Sequence, residues 1–62
     1  MVSGAEVKHV LREVGITQRR CAQLCKIPEQ YISEYIANKR EMDSDKLIRL
    51  SDFIDKVKRI MQ

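Results

Sequence analysis

A chain of 62 residues makes one small domain, and its 12 Lys+Arg against 9 Asp+Glu leave a net charge of +3, compatible with a polyanionic partner without demanding one. So short a chain buries only about 60% of the surface its unfolded form exposes. Its core therefore needs a supplement, and dimerisation suits better than a disulfide, because Cys21 and Cys25 lie one helical turn apart.

No apolar run approaches the ~20 residues of a membrane span, and MVSGAEVKHV lacks the charged and apolar regions of a signal peptide. A cytoplasmic protein with reduced thiols and no membrane contact is expected. The first helix opens on Ser3 and Glu6, the Ser-x-x-Glu capping box, with Val2 placed to staple against Val7. Val7, Val10, Leu11 and Val14 form its apolar face, and Gly15 is a fitting left-handed stop. Ile16 enters the core from the connection, and Thr17 is placed to cap a second helix.

That second helix spans about Gln18 to Cys25, with Cys21, Leu24 and Cys25 as its apolar recurrence. Lys26-Ile27-Pro28 interrupts it, since proline does not fit a helix interior. A third helix begins near Pro28 or Glu29 and runs to about Ala37, with Ile32, Tyr35 and Ile36 on its apolar face. Asn38-Lys39-Arg40 is turn-prone, Asn38 tolerating the left-handed conformation.

Asp43 or Ser44 caps a last helix that no Gly or Pro interrupts before Gln62. Asp45–Arg49, Asp52–Lys56 and Asp55–Arg59 are acid-before-base pairs worth roughly 0.2–0.5 kcal/mol each. Its apolar stripe is Leu47, Leu50, Ile54, Val57 and Met61, widened by Phe53 and Ile60. A helix of this length outreaches the short ones it packs on. Val57, Ile60 and Met61 are then either a dimer surface in a 55–62 extension, or a stripe folded onto the first helix. No repeat and no strand pattern is present.

Two short helices crossing over a tight turn need a small residue at their contact and a bulky apolar one in the angle. Ala22 and Ile32 meet those needs at the right separation. On Thr17-Gln18, Ala22, Ile27, Ile32-Ser33, Asn38-Lys39-Arg40 and the apolar Leu47, Leu50 and Ile54, the chain resembles the phage repressor/Cro-type helix-turn-helix family over roughly Ile16 to Ile54. The resemblance implies an all-α, lambda-repressor-like bundle of four helices around a central helix-turn-helix, or five if the family's usual break near the C-terminus is present. Where this chain has Lys26 the family often has glycine, and a left-handed lysine costs ~1–2 kcal/mol.

By resemblance the third helix enters a major groove of double-stranded DNA, and its outward Gln30, Ser33 and Glu34 are the base-reading candidates. Gln30 suits adenine, Glu34 suits cytosine's amino group, and Ser33 suits either. Gln18, Arg19, Arg20, Lys39 and Arg40 suit phosphates. The implied function is a small sequence-specific regulator, of phage or mobile-element repressor type, binding operator half-sites as a homodimer. Both acids of this segment, Glu29 and Glu34, lie on the reading helix, however. They favour an alternative: an antirepressor or adaptor that keeps the fold and binds a protein partner.

Cys21 and Cys25 have a helical metal-ligand spacing, but only His9 is left to join them and zinc wants four ligands, so buried apolar thiols and a solvated His9 are expected. Arg19 and Arg20 are phosphate contacts or simply wet helix surface. Tyr31 and Tyr35 contact backbone or stack, Tyr35 being the better core candidate. Neither a Gly-rich phosphate loop nor a nucleophile–base motif occurs, and no enzyme, metal or cofactor is expected.

Overall fold

The computed structural model describes residues 2–61 and is all-helical over that span. Four helices follow one another: α1 (Gly4–Val14), α2 (Gln18–Cys25), α3 (Glu29–Ile36) and α4 (Ser44–Met61). The expected helix end at Gln62 lies outside the described residues. No break divides α4 into a fourth and a fifth helix.

Local chemistry sets the boundaries. Ser3 Oγ accepts from the Glu6 N–H at 3.1 Å and Thr17 Oγ1 from the Arg20 N–H at 3.0 Å, so both expected N-caps form. Only half of the capping box is present. The Glu6 carboxylate accepts from Lys58 Nζ at 2.9 Å, which ties the start of α1 to the end of α4. Pro28, at φ −56° and ψ 137°, is the residue before α3 rather than its first helical position.

α1, α2 and α3 each end on a left-handed residue: Gly15 at φ 77°, Lys26 at φ 57° and Asn38 at φ 62°. After α2 the Ile27 N–H bonds the Ala22 carbonyl and the Lys26 N–H that of Gln23. After α3 the Lys39 N–H bonds Glu34 and the Asn38 N–H bonds Tyr35. Both are the paired closing bonds of a Schellman turn. Lys26 thus adopts the conformation that glycine favours, and the chain bears that cost to bring Ile27 into the core.

Val7, Cys21, Ile32, Leu50 and Ile54 are the fully buried centre, drawing on all four helices. Ala22 is buried against the same cluster, so the α2–α3 corner is filled as its residue sizes require. The N-terminal segment is fastened down. The Tyr35 hydroxyl donates to the Val2 carbonyl at 2.6 Å and the Val2 N–H donates to Ser51 Oγ at 3.3 Å. Gly4 permits this closeness, because a Cβ there would stand 2.5 Å from the Tyr35 carbonyl oxygen.

Several expectations need correction. Leu24 is 49% exposed: α4 covers the Cys21–Cys25 side of α2 and leaves Leu24 on its flank. Val57 does not overhang; it is buried in the core of its own chain. Of the three acid–base pairs on α4 only Asp52–Lys56 closes, at 3.0 Å.

Candidate nucleic-acid interface

The α2–α3 corner leaves one side of α3 uncovered. Ile32 turns inward, fully buried, while Gln30 and Ser33 are exposed and Glu34 is partly so. These polar side chains are bonded to one another and to neighbouring elements. The Ser33 hydroxyl donates to Gln18 Oε1 at 2.8 Å, linking α3 to the first residue of α2. With its carbonyl so occupied, the Gln18 amide keeps its NH₂ donors for another acceptor.

A second network centres on Glu34. Gln30 Nε2 donates to its Oε2 at 3.3 Å and Arg40 Nε to its Oε1 at 2.5 Å. Arg40 also lies over the Tyr31 ring, 4.0 Å from its centre, and Lys46 Nζ stands 5.6 Å from the same ring. The hydrogen bonds from Arg40 and then Gln30 hold the Glu34 carboxyl below its ordinary range, and the bond to Glu34 raises Arg40 in turn. Glu34 is therefore an ionised, paired carboxylate.

The cations divide into two groups. Arg40 is engaged as described, and Arg19 Nε faces Glu29 at 3.9 Å, a long contact between two exposed side chains that contributes little. Among the described residues Arg20, Lys26 and Lys39 have no acid within ion-pair distance. The Arg20 guanidinium donates to Gln23 Oε1 at 3.4 Å.

The structure thus brings Gln18, Gln30, Ser33, Glu34 and Arg40 into connected networks, with Arg19, Arg20 and Lys39 around them. Of the residues assigned to a dimer surface, Val57 belongs to the core, whereas Ile60 is 83% exposed and Met61 is exposed beside it. Sequence reasoning missed Tyr31 as the platform for Arg40. The signal was available: Tyr31 and Glu34 are three apart on one helical face, and a cation follows in the next loop.

Cys21 and Cys25 are free and buried. Hydrogen bonding to Cys25, with burial, pushes the Cys21 thiol far up, which keeps it neutral. Among the described residues no cluster of His, Cys, Asp and Glu is arranged to hold a metal ion, and no helix is long and apolar enough to cross a membrane.

Beyond the family comparison, no curated protein and no solved structure matches the chain. The family model described as helix-turn-helix matches residues 7–59, from within α1 almost to the end of α4. With that match over a four-helix domain whose α2–α3 corner is built on Ala22 and Ile32, the chain belongs to the helix-turn-helix family of the Cro/lambda-repressor type, a family of DNA-binding domains.

Proposed function

We propose that the chain is a sequence-specific transcriptional regulator, a small repressor of phage or mobile-element type, which binds operator half-sites as a homodimer. α3 enters the major groove with Gln30 and Ser33 against base edges and Glu34 on the same face. Gln18, Arg19, Arg20, Lys39 and Arg40 contact the phosphates, Gln18 through the amide protons that Ser33 leaves unused. One observation carries most weight: the exposed side of α3 is polar and internally bonded, while its apolar side is filled by Ile32. A helix so arranged is fixed in orientation before any ligand arrives, which lowers the cost of binding.

The dimer rests on Ile60 and Met61, apolar side chains left outside the core at the end of α4. Two half-sites about 34–36 Å apart, or a multiple of that, then match the two-fold symmetry of the protein. A second function, as a protein-binding antirepressor or adaptor, is favoured by Glu29 and Glu34 on α3 and by the exposure of Ile48 and Leu24.

Selection of bound duplexes from a random pool, followed by titration at several salt concentrations, separates the two. A DNA regulator enriches a two-fold repeated site and loses affinity with salt in proportion to the phosphates it contacts. No enrichment at any salt concentration rejects the repressor function.

A further inference from the structure

Glu34 sits on the very side of α3 that the proposed function turns toward DNA, where a carboxylate faces the repulsion of the phosphates. Its geometry does not suit a residue waiting to read a base. Oε1 accepts from Arg40 Nε and Oε2 accepts from Gln30 Nε2, so each oxygen already holds a partner within the protein before DNA arrives. Arg40 is gripped from a second side by the Tyr31 ring. Tyr31 and Glu34 are neighbours on one helical face, and between them they hold a side chain that arrives from the loop beyond the helix.

A guanidinium carries five N–H donors in a rigid fork. The bond to Glu34 runs through Nε and the ring covers one face, so donors on the Nη groups remain for an acceptor outside the protein. An arginine already fixed in place loses less freedom when it binds than one that is not.

Resting on the DNA-binding function above, we infer that Glu34 is a positioning residue. With Tyr31 it fixes Arg40 so that the Nη edge bonds a paired acceptor on duplex DNA, either two oxygens of a phosphate or O6 and N7 of a guanine. The acid on the reading helix then serves DNA binding through a cation, rather than opposing it.

The test measures equilibrium binding of the full chain to a mixed-sequence duplex and to duplexes that the wild-type chain enriches from a random pool. Wild type is compared with Glu34→Ala, Glu34→Gln, Arg40→Ala and the Glu34→Ala/Arg40→Ala pair, each checked for helical content. If Glu34 acts only through its charge, removing it strengthens binding to a polyanion. Positioning requires the opposite sign.

Glu34→Ala and Arg40→Ala each weaken binding roughly ten-fold, the scale of one hydrogen bond to a charged group. The double variant is no weaker than either single one, since the two side chains act as a unit. Glu34→Gln keeps an oxygen for Arg40 Nε and restores most of the affinity. In the ¹H–¹⁵N spectrum of the free chain, Arg40 Nε–H gives a resolved peak that Glu34→Ala removes.

A phosphate partner produces equal losses on both kinds of duplex, and Arg40→Ala flattens the salt slope by about one. A guanine partner confines the loss to the enriched duplexes. Unchanged or tighter binding by Glu34→Ala, or losses that add in the double variant, overturns the positioning role and leaves DNA binding standing. A wild-type chain that binds no duplex even at low salt overturns both.

Discussion

Lys26 offers the cleanest test of how the helix-turn-helix corner is stabilised. Its φ of 57° and ψ of 44° lie in the left-handed region, where an L side chain costs ~1–2 kcal/mol. The side chain gives little back: Lys26 is exposed and has no ion pair among the described residues. Lys26→Gly removes the strain but enlarges the freedom of the unfolded chain by ~0.5–1 kcal/mol. The net expectation is a gain of roughly 0.5–1 kcal/mol, which in a domain of this size raises the melting temperature by about 2–8 °C.

Gly15 supplies the mirror experiment. It has φ 77° and open space where a Cβ would stand, so Gly15→Ala changes backbone strain and little else. It is expected to cost ~1 kcal/mol. Urea unfolding followed by circular dichroism measures both, with the midpoint moving in opposite directions and the slope unchanged. Lys26→Ala keeps a Cβ and should stay near wild type. Equal stabilisation by alanine and glycine at position 26 would trace the gain to the lost charge and refute the backbone argument.

The other expectations follow from single contacts. Gly4→Ala sets a Cβ against the backbone of Tyr35 and Ile36 and forces α1 off the end of α3, a loss of ~1–3 kcal/mol readable as a lower melting temperature; an unchanged midpoint would mean the two helices do not approach so closely. Glu34 has a folded pKa below its unfolded one, so its contribution to stability is present above the ordinary value of 4.5 and is lost as pH falls through the lowered folded value. Glu34→Gln should make acid unfolding less steep in that window, and identical curves would reject the pairing with Arg40. Ile60→Asp places a charge on the exposed end of α4 and should shift sedimentation from dimer to monomer without lowering the melting temperature of the monomer; a wild-type chain monomeric at high concentration removes this dimer surface.

The helices were legible because their punctuation is local. Ser3, Gly15, Thr17 and Asn38 each act within a few residues of where they stand, through caps and left-handed turns that depend on no distant partner. The α2–α3 corner was legible for a related reason: Ala22 and Ile32 are only a turn and a half-helix apart, and their sizes state the contact. What escaped depends on chain segments distant in sequence. The Glu6 carboxylate leaves its capping box for Lys58, 52 positions away, because α4 runs back along α1. Val57 looks like overhang when helix lengths are compared, yet α4 packs along α1 and Val57 is buried with the core. Leu24 fits an apolar period on α2, but a helix of 8 residues packed on α3 and α4 still has a flank that neither covers.

Charge was the least legible property, and it matters most for function. Counted by type, Glu29 and Glu34 both oppose phosphates, and α3 looks poorly suited to DNA. Placed in space, the two acids differ. Glu29 meets Arg19 only across a long, exposed contact, and the solvent screens it. Glu34 is closed into a hydrogen-bonded pair whose cation also rests on an aromatic face. Under the proposed function the phosphates then meet Arg20 and Lys39, which have no acidic partner among the described residues, and the Nη edge of Arg40. Glu29→Ala should therefore strengthen binding to any duplex while Glu34→Ala weakens it, although each substitution removes the same formal charge. Equal and same-signed effects, measured by titration at one ionic strength, would mean that net charge rather than the geometry of the pair governs this surface.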